Sequence, residues 1–295
     1  FKQAILCNPN SASAHNNLGN VLRQTGVFDK AIVSYSRATT LQPDFAMAHN
    51  NLGITYWHSG NPQAACKSYA TAIKLQPDYA DAHNNLGYAL AEHGEIAAAV
   101  ESYRTAIKHA PNFIEAHNNL GNVLQELGAL EDAITSFQKA LELAPGVATI
   151  HNNMGNAMQD KGDRPKAVES YSRATELDPG YQIARSQKLH QLSHICDWEK
   201  IAIDLPLLPS LGMSDQEVDP FNMLALEDAP ERHRARSEVY TRNKYPQQQL
   251  PLEGPPSTAP KRLRIGYFSA DFQNHPGMYL MAGMLAAHDR DKFEI

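Results

Sequence analysis

His15-Asn16-Asn17-Leu18-Gly19 decides the fold, because it returns four more times. The same five residues occupy 49–53, 83–87 and 117–121, and His-Asn-Asn-Met-Gly occupies 151–155, every step being 34 residues. The flanks keep the same phase. A glycine follows each copy (Gly26, Gly60, Gly94, Gly128, Gly162), then an alanine (Ala31, Ala65, Ala99, Ala133, Ala167) and an aromatic (Tyr35, Tyr69, Tyr103, Phe137, Tyr171). A second alanine comes three residues later, and a proline (Pro43, Pro77, Pro111, Pro145, Pro179) closes the unit. This pattern predicts two antiparallel helices per unit, A and B, stacked into an array.

Counting helix A from Ala12 as position 1, positions 4, 7, 8 and 11 share a face at helical spacing and pack on helix B. The glycine at position 8 lets the two helices approach, and the closing proline lies beyond helix B, which it cannot continue. Positions 2, 6, 9 and 13 lie opposite, on the face that lines the concave groove of stacked helix pairs. Position 6 is asparagine in every full repeat: Asn17, Asn51, Asn85, Asn119 and Asn153. Asparagine costs a helix roughly half a kcal/mol against alanine, so propensity alone expects Asn→Ala there to keep or improve folding. A ladder of neutral amides can donate to and accept from a peptide backbone whatever its side chains. The position-6 asparagines are therefore the candidate polypeptide-binding residues, while position 5 (Asn16, Asn50, Asn84, Asn118, Asn152) reads as repeat consensus.

The four groove positions hold no lysine or arginine in the five full repeats, and Asp81, Glu92, Glu115, Glu126 and Asp160 make one end mildly acidic. A carboxylate clamp would want cations, so an extended polypeptide is the better ligand. The position-4 histidines sit one repeat apart and cannot converge on one metal ion.

The 295 residues suffice for an array and a second element, and a net charge of −6 with pI about 6.1 gives no reason to expect nucleic acid. Cys7, Cys66 and Cys196 are far apart, with no CxxC pair, as expected of a reducing cytosol. No apolar run approaches the roughly 18 residues of a membrane span, and no membrane partner is expected. Residues 1–9 read as a second helix without its first, and 293–295 as the start of a strand, so both ends look cut.

After Pro179 the consensus fades into Arg185-Ser186-Gln187-Lys188-Leu189. The stretch 190–198 (HQLSHICDW) is expected to form a packed junction around Trp198 rather than a metal site from His194, Cys196 and Asp197. Residues 219–245 read as helical, with Arg232, His233, Arg234 and Arg236 on a solvated face. Pro246, Pro251, Pro255, Pro256 and Pro260 then mark a stiff linker. Beyond it, 265–269 (IGYFS) reads as a strand, 270–277 as a loop, 278–288 as an apolar helix and 293–295 as a second strand. This is a βαβ start, with His275 in the loop at the carboxyl end of the first strand, where such sheets bind ligands. The domain reading is repeats over 1–184 (five full and one partial), capping helices and linker over 185–260, and the start of a second domain over 261–295.

The repeats, the stretch Ile195-Cys196-Asp197-Trp198, then Arg264-Ile265-Gly266-Tyr267-Phe268-Ser269-Ala270-Asp271-Phe272 and Asn274-His275-Pro276 resemble protein O-GlcNAc transferases, bacterial-type homologues in particular. The resemblance implies a mostly α tetratricopeptide-repeat superhelix followed by the beginning of an α/β Rossmann-like (GT-B) glycosyltransferase domain. It implies a metal-independent inverting enzyme, without cofactor, that transfers N-acetylglucosamine from UDP-GlcNAc to Ser/Thr of cytoplasmic (in a eukaryote also nuclear) proteins. His275 matches a histidine with an active-site role, either as a base or as a contact to donor and acceptor. Tyr279, and Gly277-Met278, depart from the animal pattern. The family's nucleotide contacts belong to a second lobe, so residues 1–295 alone are expected to be inactive. A protein O-fucosyltransferase using GDP-fucose and a non-catalytic interaction scaffold are the alternatives.

Overall fold

The computed structural model describes residues 5, 7–214, 216 and 218–245, and the backbone of 263–264 and 293–294. It divides into two compact units, Phe1–Tyr245 and Pro246–Ile295.

The first unit is helical. Five helix pairs follow the five copies of the motif: α1 (Ala12–Gln24) with α2 (Phe28–Leu41), α3 (Ala46–His58) with α4 (Pro62–Leu75), α5 (Ala80–Glu92) with α6 (Ile96–His109), α7 (Ile114–Glu126) with α8 (Leu130–Leu143), and α9 (Ala148–Asp160) with α10 (Arg164–Leu177). Some helix starts are set by side-chain caps: Ser11, Asn61 and Asp163 accept from the amides of Ala14, Ala64 and Lys166. Pro62 and Pro165 stand in first turns, where no intrahelical N–H bond is lost. The A-to-B turn runs through a left-handed glycine in every unit, with φ from +74° at Gly26 to +85° at Gly162.

Position 8 shows why its glycine is there. A Cβ on Gly155 would lie 2.5 Å from Cε1 of Tyr171, and the other four repeats place the paired ring within 2.6–2.9 Å of the same point. Normal carbon contacts need about 3.5–4.0 Å, so the ring occupies the volume of the missing side chain. The rings and their flanking alanines form the core: Tyr35, Phe137 and Tyr171 are fully buried. From α3 on, each A helix packs on the B helices before and after it, and the A helices of the five repeats touch one after another. The A helices therefore line the inner side of the curve.

The position-4 histidines hold adjacent repeats together. Each donates through Nε2 to the carbonyl of the closing proline before it, at 3.0, 3.1, 2.9, 2.8 and 2.9 Å along the array. A carbonyl only accepts, so the partner fixes the tautomer with the proton on Nε2.

Helix pairing runs on past Leu177. Helix α11 (Gln182–His194) keeps the 34-residue phase, and α12 (Trp198–Asp204) packs against it, before Pro206 and Pro209 turn the chain into the 3-10 helix Leu205–Ser210. Arg185 takes over the histidine's bond, donating through Nη1 to the Pro179 carbonyl at 2.7 Å. Leu189 stands at the glycine position and packs with Leu192, Ile201, Leu208, Leu211 and Met223. Cys196 occupies the place of the turn glycine and holds φ 57°, a strained angle for a residue with a Cβ.

Two expectations are corrected in this cap. Trp198 does not anchor a packed junction: it begins α12 with 57% of its surface exposed, while Leu189, Leu192 and Ile201 fill the core. The basic run is not one solvated face. It lies on α13 (Pro230–Lys244), where Arg236 is fully buried, donating to the carbonyls of Leu208 and Leu211 (both 2.6 Å) and to Glu227. Arg232 pairs with Glu227 at 2.7 Å and His233 bonds the Glu227 carbonyl; Arg232 and Arg234 are the exposed members of the four. Three carbonyl or carboxylate acceptors converge where α13 meets the preceding turns, and a planar guanidinium serves all of them.

In the second unit β1 (Leu263–Arg264) and β2 (Phe293–Glu294) pair in parallel, Leu263 opposite Phe293 and Arg264 opposite Glu294. A parallel pair needs a crossover connection, and 28 residues separate the two strands. The strand, loop and helix expected over 265–288 lie outside the described residues.

Candidate functional site

The inner face is built on paired asparagines. From the second repeat on, position 6 reaches back to position 5 of the repeat before: Asn51 Nδ2 donates to Asn16 Oδ1 at 3.0 Å, Asn85 to Asn50 at 3.0 Å, Asn119 to Asn84 at 3.2 Å and Asn153 to Asn118 at 3.0 Å. Position 5 is buried in four of the five repeats, with exposures of 2–5%, and half-buried at Asn118; position 6 is half-buried throughout. Position 5 is therefore no idle consensus. It is the acceptor that locks neighbouring repeats in register.

This pairing leaves the outward side of the ladder for a ligand. Among the described residues no protein group donates to Oδ1 of Asn85, Asn119 or Asn153. The third to fifth repeats thus each offer one oriented acceptor, and its amide carries a second N–H. Beside the ladder Tyr88 is 44% exposed and meets Trp57 edge-on at 5.4 Å. Tyr88, Glu92, Asn119, Asn122 and Glu126 line a shallow hollow of about 170 Å³. An aromatic wall, an amide ladder and an acidic rim can hold an extended chain by its backbone.

The ladder changes at the cap. Ser186 replaces the position-5 asparagine and accepts from Asn222 Nδ2 at 3.0 Å, so the turn Pro220–Met223 supplies the rung that a further repeat would give. One step earlier Gln187 stands at position 6 and makes no such bond, leaving the buried Oδ1 of Asn152 without a partner. Positions 9 and 13 of this unit are His190 and His194, whose Nε2 atoms are 3.2 Å apart. Sequence reasoning missed the pair because the altered motif hid the phase; counting 34 residues on from Asn156 and Asp160 finds both. Among the described residues no three His, Cys, Asp or Glu side chains gather as a metal cage.

All five ladder asparagines are thus on one face. His275 lies outside the described residues, so its surroundings are not part of this site.

Comparison with known proteins follows the same division. Tetratricopeptide-repeat family models match residues 1–33, 19–60, 50–112 and 113–179 in unbroken succession. Among solved structures the chain is similar to YrrB, described as a TPR protein with an unusual peptide-binding site (26% identity, TM-score 0.54, covering 64% of this chain and 97% of that one). It is also similar to MamA (28% identity, TM-score 0.52, 57% and 92%). The chain is a tetratricopeptide-repeat protein.

Its last part matches a different model, glycosyl transferase family 41, over residues 243–295. Over 123 residues it is 31% identical to the probable UDP-N-acetylglucosamine–peptide N-acetylglucosaminyltransferase SEC of Arabidopsis thaliana, covering 36% of this chain and 13% of that protein's length. The chain thus joins tetratricopeptide repeats to a segment that matches glycosyl transferase family 41.

Proposed function

We propose that this chain is the substrate-selecting part of a protein O-GlcNAc transferase. The inner face receives an extended polypeptide, and the GT-B domain that begins near residue 261 transfers N-acetylglucosamine from UDP-GlcNAc to its Ser or Thr hydroxyls with inversion and without a metal. The observation that carries this reading is the asparagine ladder, whose acceptors are uncommitted on the ligand side, in an array joined to a family 41 segment. Amide acceptors at a fixed repeat interval read backbone rather than sequence, which suits an enzyme acting on many proteins. His275 is the proposed active-site residue. Its imidazole, ordinarily titrating near neutrality, can take the acceptor hydroxyl proton or hold the sugar by hydrogen bonds. Three free cysteines suit action in the cytoplasm, and no helix among the described residues is long and apolar enough to cross a membrane.

The test must separate binding from folding, because the ladder does both. Replacing both members of a rung leaves no orphaned group and is close to neutral for stability. The variant Asn84→Ala/Asn119→Ala/Asn118→Ala/Asn153→Ala is therefore expected to stay folded and to bind unrelated unstructured polypeptides at least about tenfold more weakly, each lost ligand bond being worth about 0.5–1.5 kcal/mol. Unchanged affinity in a folded variant would end the groove reading. For the chemistry, the full-length protein is assayed with UDP-GlcNAc and GDP-fucose: GlcNAc transfer, cut about a hundredfold or more by His275→Ala, is the expected outcome. Transfer of fucose alone, or of neither sugar, overturns it.

A further inference from the structure

We propose that His190 and His194 form a two-histidine site for a divalent transition-metal ion, zinc being the representative, on the inner face of α11. The residues are one helical turn apart (i, i+4), so their side chains rise from the same side of the helix. The rings meet edge to face with centroids 4.5 Å apart, while their Nε2 atoms are only 3.2 Å apart, so the nitrogen tips converge. Two ligands at the usual Zn–N distance and a tetrahedral angle stand about 3.3 Å apart. The pair already has the bite of a chelate, and binding would need little side-chain movement.

No third His, Cys, Asp or Glu completes a cage among the described residues, which separates this site from a structural zinc site. The ion would keep positions open to water. It would sit at positions 9 and 13, in line with the groove positions of the preceding repeats, yet its binding does not depend on any polypeptide being bound.

The probe is Zn²⁺ alone, titrated into the full chain with Cys7, Cys66 and Cys196 replaced by serine so that thiolates do not compete. Calorimetry gives stoichiometry and affinity, and side-chain ¹⁵N spectra report on individual imidazoles. One ion per chain is expected, with the Nε2 resonances of His190 and His194 shifting together. His190→Ala and His194→Ala should each weaken that binding at least about tenfold, the lower end of what losing even an outer partner of a ligand costs. Circular dichroism checks that both variants stay helical. If Zn²⁺ leaves these two resonances unmoved, or if the double variant binds it as tightly as the parent, the contact is a ring–ring hydrogen bond only and the proposal is wrong.

Discussion

Asn119→Ala tests whether the asparagine ladder holds the array together. Helix propensity says the change should help, by about 0.5 kcal/mol. The ladder says the opposite. Asn119 Nδ2 donates to Asn84 Oδ1 at 3.2 Å, and Asn84 is only 2% exposed, so water cannot replace the lost donor. An orphaned buried acceptor costs about 1–3 kcal/mol. The balance is a net destabilisation of about 0.5–2.5 kcal/mol, measured by urea unfolding followed by circular dichroism. Asn84→Ala in the same assay loses the other half of the rung, and the double variant should recover part of both losses, giving a coupling of about 1 kcal/mol. An Asn119→Ala chain as stable as the parent, or a coupling of zero, would refute the argument, for propensity alone would then account for the position.

Three further outcomes follow from the packing. Gly155→Ala should destabilise by about 1–3 kcal/mol, because its Cβ would enter the ring of Tyr171, and should become neutral or stabilising in a Tyr171→Ala background; the same sign in both backgrounds would dismiss the ring as the cause. Cys196→Gly should stabilise by about 1 kcal/mol by relieving the left-handed backbone, read as a higher Tm; an unchanged Tm would mean that no strain is held there. In the cap, burial opposes the charge on Glu227, but Arg232 and Arg236 outweigh it and hold the carboxyl below its ordinary range. A depressed carboxylate pKa stabilises above the unfolded value and loses that contribution as pH falls through the folded one. Protection factors over residues 201–245, corrected for intrinsic exchange, should therefore fall below about pH 4. Arg236→Met should open the same segment at neutral pH, since breaking a buried pair costs about 3–5 kcal/mol, and equal protection in the two chains would refute the anchoring role.

The sequence determined whatever repeats within one unit. The 34-residue period, the A and B helices, the left-handed turn glycines, the glycine that faces an aromatic and the inward placement of Asn17, Asn51, Asn85, Asn119 and Asn153 all follow from local spacing, because helix periodicity and turn chemistry act over a few residues. The altered sixth unit keeps the count, with Cys196 in the turn-glycine place and Leu189 in that of the packing glycine, but its changed motif hides the phase. Contacts between units were not legible. That position 6 donates to position 5 of the preceding repeat depends on how far one helix pair is shifted and rotated against the next, and the sequence carries no local signal for that. The cap makes the same point. Arg236 reads as one more surface cation and Trp198 as a core residue, until the fold brings the carbonyls of Leu208 and Leu211 and the carboxylate of Glu227 around the first and leaves the second in solvent. A charge is buried where enough acceptors converge to replace water, and that convergence exists only in three dimensions.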